Sequence, residues 1–314
     1  MPRPAGSVCA WHGVDRAPAA RILRAMGYDE RTPRAGRTEL AALRSAYARR
    51  LVGEDGPAAL RDAFARVERE HFLGPGPWQL LGGTDDERSV TDDPALLYQD
   101  ALVALSRERG INNGQPSLHA RCIAACAPQP GEQVVHIGAG TGYYTAILAE
   151  LVGRAGAVLA FEIEADLADA ARRLLARDWP QVRVVCASAT EVTLPAADVI
   201  YACAGATHPP AAWLDALRPG GRLVLPLTPD LGPGPMLLIT RRGAASYAAR
   251  ALMMVAFIPC NGARDAASSD ALQQALATRS PHEIRSLRRD TPPDETLWCA
   301  GADAWLSTAD PGPP

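Results

Sequence analysis

The sequence predicts an α/β protein: a doubly wound, mostly parallel, Rossmann-like sheet of seven strands with a helical extension before it and an irregular one after it. Three observations lead there. Apolar strand patterns and helical patterns alternate between residues 117 and 226, and such alternation specifies a largely parallel sheet covered on both faces, with ligands at the carboxyl ends of its strands. An apolar run at 133–137 leads straight into the glycine-spaced turn Gly138-Ala-Gly-Thr-Gly142, and a helical pattern starts at once with Tyr143. A second apolar run, 157–161, ends in the acidic Glu162.

Taken in order, residues 1–55 form a helical extension with helices over 17–26 and 39–51, separated by an arginine-, proline- and glycine-rich connection. A third helix over 57–71 places Leu60, Phe64 and Val67 on one face and stops before the breaker Gly74-Pro-Gly-Pro77. The long polar stretch 81–116, interrupted by a short apolar run at 101–105, is predicted to be a lid over the site, because loops of that length inside a compact domain are usually functional. Strands follow at 133–137, 157–162, 182–186, 197–203 and 221–226, with helices at 117–127, 143–152, 165–177 and 209–217. Two later apolar runs, 236–240 and 251–257, close the sheet as an antiparallel pair, so the main domain spans 56–260. The remainder, 261–314, is predicted to hold one helix over 269–277 and then proline-rich irregular chain.

The glycine spacing selects the cofactor. Gly138 allows a sharp turn, Gly140 lets the backbone approach a ligand, and Gly142 lets the helix pack closely on the sheet. A dinucleotide fingerprint needs its third glycine at position 143, which here is tyrosine; a third glycine at 142 is the G-x-G-x-G form of S-adenosylmethionine methyltransferases. Glu162 stands where an acidic strand end accepts hydrogen bonds from both ribose hydroxyls. The run from Leu217 to Leu225 contains the Pro-Gly-Gly turn common in class I methyltransferases. The expected cofactor contacts here are Gly138, Ala139, Gly140, Thr141, Gly142, Tyr143, Glu162 and Ile163. Tyr144 fits a buried stripe with Ile147, Leu148 and Leu151, while Tyr143 points to the ligand end.

Composition narrows the partners. In 314 residues, 47% hydrophobic, there is material for a substantial core. The formal charge of −3 and the acidic stretch from Asp85 to Asp100 disfavour nucleic acid. No run reaches about 18 uninterrupted apolar residues, and the start lacks the order of a secretory signal, so the expectation is a cytoplasmic chain without a membrane span. Seven cysteines form no Cys-x-x-Cys pair; Cys122 and Cys126, one helical turn apart, read as core thiols and no metal is expected. Every basic side chain is arginine, which excludes Schiff-base and lysine general-base chemistry.

Three further stretches, in this order, resemble the protein-L-isoaspartate O-methyltransferase family: Ala63-Phe-Ala-Arg-Val-Glu-Arg-Glu-His-Phe72, Tyr98-Gln-Asp100 preceding Gly114-Gln-Pro-Ser-Leu-His-Ala120, and Phe257-Ile-Pro259. The resemblance covers about 57–260 and implies carboxyl methylation with S-adenosylmethionine. It also implies roles. Relatives place a hydroxyl residue just before the Gln/Ala-Pro pair, thought to help hold the substrate carboxylate and the cofactor; the matching stretch here is Asn112-Asn113-Gly114, so the amides of Asn112 and Asn113 are expected in its place. His119 matches a histidine of some relatives and is expected both in catalysis and, with Gln115, at the cofactor. The family's acidic Gly-Asp-Gly turn appears as Ala187-Ser188-Ala189, leaving Ser188 and Ala189 to meet the adenine, and His136 replaces an acidic residue of the first strand. Tyr98, Asn112, Ser117 and His208 are the expected substrate contacts.

Methyl transfer from a sulfonium is an in-line displacement that chiefly requires alignment and desolvation. An ionised carboxylate acceptor needs only donors to hold it, whereas a hydroxyl or amine needs a base. Asn112, Asn113, Gln115 and Ser117 are donors without basicity; His119 is the one nearby side chain that combines either role. The resulting expectation is an O-methyltransferase acting on a peptide or protein carboxylate, in isoaspartate or aspartate, with a specific biosynthetic peptide among the candidate substrates. Methylation of a small-molecule acid or phenol, and a non-catalytic binding protein on the same fold, stand as the alternatives.

Overall fold

A computed structural model describes residues 36–81, 90–289 and 291–311, all within the compact unit Ala35–Pro314. The helix expected at 17–26 lies outside these residues. The next is α1 (Arg37–Val52), which ends where Gly53, at φ 81°, turns back and donates its N–H to the Arg49 carbonyl. It buries Tyr47 and Ala48 in the main core.

The helix expected over 57–71 is shorter. α2 (Ala58–Arg66) stops at an extended Val67, and a separate 3-10 turn covers Arg69–Phe72. Residues two apart lie on nearly opposite sides of a continuous helix, yet Val67 and Arg69 are both buried; breaking the helix allows this. In the stretch expected as a lid, the described residues 90–116 form strands and turns. With β1 (Trp78–Leu81), which precedes them, β2 (Val90–Thr91), β3 (Leu102–Ser106) and β4 (Ile111–Asn112) make an antiparallel sheet in the order β2-β1-β3-β4.

The alternating core follows as α3 (Pro116–Cys126), β5 (Gln133–Ile137), α4 (Tyr143–Val152), β6 (Ala157–Glu162), α5 (Ala165–Leu175), β7 (Val182–Cys186), β8 (Ala197–Ala202), α6 (Ala211–Ala216) and β9 (Leu217–Pro226). β7, β6, β5, β8 and β9 lie side by side and parallel. β10 (Gly234–Arg241) and β11 (Ser246–Val255) join β9 as the expected antiparallel pair. Alternation puts Val134, Val199, Tyr201 and Val224 into one apolar cluster with α1 to α5, and Val135, Ile137, Ile200 and Leu223 into a second on the opposite face. Cys122 and Cys126 are buried in the first of these.

The C-terminal segment departs from the irregular chain expected for it. After α7 (Ala266–Thr278), capped by Asp265 through Ser268 N at 2.8 Å, come β12 (Ser286–Arg288), β13 (Leu297–Ala300) and β14 (Trp305–Ser307). They extend the seven expected strands to ten, in the order β13-β14-β12-β11-β10-β9-β8-β5-β6-β7. Strands of three or four residues are too short to show a period of two, so successive pairing outward from β11, through β12 and β14 to β13, rather than local sequence creates them. Among the described residues no helix is long and apolar enough to cross a membrane.

Candidate active site

The turn between β5 and α4 is built by three glycines at φ 77°, 57° and 101° for Gly138, Gly140 and Gly142. At Gly142 an added Cβ would sit 2.8 Å from Leu175 Cδ1, so the third glycine is what lets α4 pack beside α5. Gly138 and Ala139 both donate their N–H to the Phe161 carbonyl, at 2.9 and 3.0 Å, holding the turn against the end of β6. Two side chains expected at the cofactor face elsewhere. The Thr141 hydroxyl donates to Phe72 O at 2.6 Å, tying the loop to the 3-10 turn, and Tyr143 is buried with its ring against Phe64 and Phe72. Their side chains serve packing, because the first turn of α4 is enclosed by the 60–72 segment.

Glu162 closes the loop from β6. One carboxylate oxygen accepts Gly140 N–H at 2.7 Å and the other accepts Glu164 N–H at 3.0 Å. Burial raises its pKa, while these backbone donors act in the opposite sense. Each oxygen keeps lone-pair capacity for a further donor, and the adjacent Ile163 is half exposed as an apolar surface. A loop with glycine at three alternate positions, a carboxylate at a strand end and an exposed apolar neighbour fit a ribose and its base. Ser188 does not complete this set: its hydroxyl meets Thr190 Oγ1 at 2.7 Å and Asn261 O at 3.3 Å while accepting Thr190 N–H at 3.3 Å. Ala189 is buried, and its carbonyl accepts Trp213 Nε1 at 3.1 Å. Both therefore hold the loop together rather than offer a partner to an adenine amine.

On the acceptor side the amides are turned inward. Asn112 Oδ1 accepts Gly114 N–H at 2.9 Å, a local turn. Asn113 is buried; its Oδ1 accepts Val103 N–H at 3.0 Å and Arg69 Nη2 at 3.2 Å. Both side-chain oxygens are engaged as acceptors, Asn112 in a local turn and Asn113 between β3 and Arg69, while the buried Asn113 Nδ2 has no hydrogen-bond partner among the described residues. Gln115 Nε2, Ser117 N and Ser117 Oγ all converge on Asp100, at 2.9, 2.8 and 2.7 Å, so Asp100 caps α3 and occupies both side chains. Tyr98 is buried against Tyr47, its hydroxyl bonded to Glu70, and so belongs to the core instead of the substrate site. His208 pairs with Asp265 at 2.9 Å, and its Cβ lies 3.1 Å from where Gly301 would carry a side chain, so the C-terminal segment covers it.

His119 is the predicted residue that faces Gly114 from α3. Its ring stacks on Tyr144 at 3.7 Å and 16°, its Nδ1 is 2.8 Å from the Tyr201 hydroxyl, and its Nε2 points at Gly114. Of the adjacent tyrosines it is thus Tyr144, not Tyr143, that borders this region. Burial lowers the His119 pKa to about 3, so the ring is neutral. His136 is likewise buried and lowered to about 3, with Nδ1 on Thr145 Oγ1 at 2.8 Å, and lies inside the sheet layer.

Two arginines went unnoticed in the sequence. Arg69, fully buried, donates to Leu97 O, Gln99 O and Ala101 O at 2.6, 3.1 and 2.6 Å, shaping the approach to Asp100. Arg109, in the β3–β4 turn, binds Glu164 at 2.7 Å and both oxygens of Asp166, at 2.8 and 2.7 Å. It fastens the small sheet beside the end of β6. Nothing in local sequence distinguishes either from the other arginines.

The model of the protein-L-isoaspartate(D-aspartate) O-methyltransferase family matches residues 56–265. The chain belongs to this family. It is 34% identical over 204 residues to a protein-L-isoaspartate O-methyltransferase of Methylorubrum populi, covering 64% of this chain and 86% of the relative. A Rhodopseudomonas palustris relative of the same name is 36% identical over 204 residues, covering 64% and 84%. A solved Plasmodium falciparum homologue in complex with S-adenosyl-L-homocysteine has the same fold, with a TM-score of 0.57, 20% identity and coverage of 71% of this chain and 98% of that one. The protein is accordingly an S-adenosylmethionine-dependent carboxyl O-methyltransferase.

Proposed function

We propose that the protein methylates the side-chain carboxylate of an aspartyl or isoaspartyl residue in a peptide or protein. S-adenosylmethionine supplies an electrophilic methyl group on a sulfonium. The glycine turn and Glu162 would hold its amino-acid and sugar portions, with Ile163 against the base. The observation that carries the acceptor class is His119: a buried, neutral imidazole with its pKa lowered to about 3 is too weak a base to activate a hydroxyl or ammonium group. Asn112 and Asn113 add no base, and their side-chain oxygens already accept Gly114 and Val103 N–H. An acceptor that is already anionic at neutral pH fits this surrounding, and a carboxylate is one. Alignment then supplies the rate, with no covalent step on the protein.

The net charge of −3 disfavours a nucleic-acid acceptor, and the free thiols of the six described cysteines fit a reducing, cytoplasmic setting. The test is incubation of the full chain with methyl-labelled S-adenosylmethionine and matched isoaspartyl and aspartyl peptides. Base-labile ester on either peptide supports the proposal; label on nitrogen, or on neither peptide while cofactor binds, refutes it.

A further inference from the structure

We infer that the imidazole of His119 is the group that holds the acceptor carboxylate, and that Gly114 is kept free of a side chain to make room for it. The inference rests on the function proposed above. Gly114 immediately precedes Gln115-Pro116 and has φ 76°, a conformation side chains rarely adopt. A Cβ built there would lie 2.2 Å from His119 Nε2 and 2.8 Å from Cδ2, well inside any permitted contact. The imidazole nitrogen therefore occupies the space that a hydroxyl side chain at 114 would fill, so a hydrogen-bonding atom is present at that place although the residue there is glycine.

The ring is fixed for this task from three sides. Tyr144 stacks on its face at 3.7 Å and donates its own hydroxyl to the Gly114 carbonyl at 3.3 Å, coupling ring and loop. Phe257 meets its edge with centroids 6.2 Å apart. Tyr201 lies 2.8 Å from Nδ1, and burial keeps its hydroxyl protonated, so it can donate to that nitrogen. With Nδ1 accepting, the ring proton sits on Nε2, which makes no hydrogen bond among the described residues. A carboxylate at Nε2 selects the same tautomer. The donor is neutral, so it orients the anion without the full ion pair that would blunt its nucleophilicity. Tyr201 acts through His119 and is a positioning residue.

The experiment titrates an isoaspartyl peptide and its aspartyl counterpart, by calorimetry, into the full-length protein saturated with S-adenosylhomocysteine. His119→Val should weaken the better-bound peptide tenfold or more and leave S-adenosylhomocysteine affinity within twofold. His119→Gln, which retains an N–H donor, should lose less. Gly114→Ser alone should also weaken peptide binding, by colliding with the ring, and combining it with His119→Val should recover part of the loss. Tyr201→Phe should weaken the peptide several-fold and shift the nitrogen-15 NMR signals of the imidazole away from the Nε2–H form. Unchanged peptide affinity in His119→Val overturns the inference, as does a loss confined to S-adenosylhomocysteine, which would make the ring a cofactor contact. Wild type that binds S-adenosylhomocysteine but neither peptide overturns the functional proposal and this inference together.

Discussion

Replacing Glu162 by glutamine tests the cofactor site with minimal change of shape. The native carboxylate receives Gly140 N–H at 2.7 Å and Glu164 N–H at 3.0 Å. Glutamine keeps one oxygen, but its NH2 group must face one of these two donors. The NH2 group also cannot accept from a ribose hydroxyl as the carboxylate oxygen it replaces would, so one charge-assisted bond to the cofactor, about 2 kcal/mol, is lost, and since 1.4 kcal/mol is about tenfold, cofactor affinity should fall about thirtyfold. A pH signature accompanies this. Burial raises the Glu162 pKa, and the ionised oxygens are the acceptors, so wild-type affinity should fall as pH drops through that raised value. The glutamine variant has nothing to protonate there and should lack this limb. Calorimetry with S-adenosylhomocysteine between pH 7.5 and 5, with melting curves to confirm folding, measures both effects. An affinity within about threefold of wild type at neutral pH would refute the assignment of Glu162 to the sugar.

Gly142→Ala places a side chain at φ 101° and 2.8 Å from Leu175 Cδ1; about 2 kcal/mol should be lost, and a melting temperature within error of wild type would contradict the packing role. Arg69→Met should cost at least about 3 kcal/mol in urea unfolding, because the Leu97, Gln99 and Ala101 carbonyls lose their buried donor; a smaller cost would mean that water replaces the guanidinium. For His136, lowered to about 3 by burial, the unfolded chain binds the proton more readily, so its contribution to stability is complete above about pH 6.5 and is lost as pH falls from there towards 3. His136→Gln should therefore flatten the fall in melting temperature between pH 7 and 4.5, and an unchanged slope would contradict this.

The parts of the fold written in local periodicity were legible. β5, β6, β7 and β10 fell close to their expected positions because apolar runs bounded by turn residues announce them, while β11 starts five residues before its apolar run, at Ser246. β12 to β14 were not legible, since three or four residues carry no period. The break after Arg66 was hidden for a related reason: a helical pattern continues to His71, and only the need to bury both Val67 and Arg69 interrupts it. At the site, glycine spacing and the terminal acid of β6 were sufficient to locate the loop. Sequence does not show that the Asn112 and Asn113 side-chain oxygens already accept Gly114 N–H and Arg69, nor that Asp100 already takes the Gln115 amide.

The chain's own order of residues determined that a side-chain-free turn meets a carboxylate at the end of the next strand, since a turn's backbone freedom and a strand's last residue are local properties. Tertiary structure alone decided which side chains face that turn. Tyr143 and Tyr144 are neighbours in sequence, yet one enters the core against Phe64 and the other stacks on His119. Orientation depends on what packs against each face of a helix, and the elements that pack here are distant in the chain: Tyr143 meets Phe64, 79 positions away, and His119 meets Phe257, 138 away. The pairing of Gly114 with His119 is of the same kind: five residues apart, their complementarity exists only once α3 has formed and Tyr201 has been brought alongside from β8.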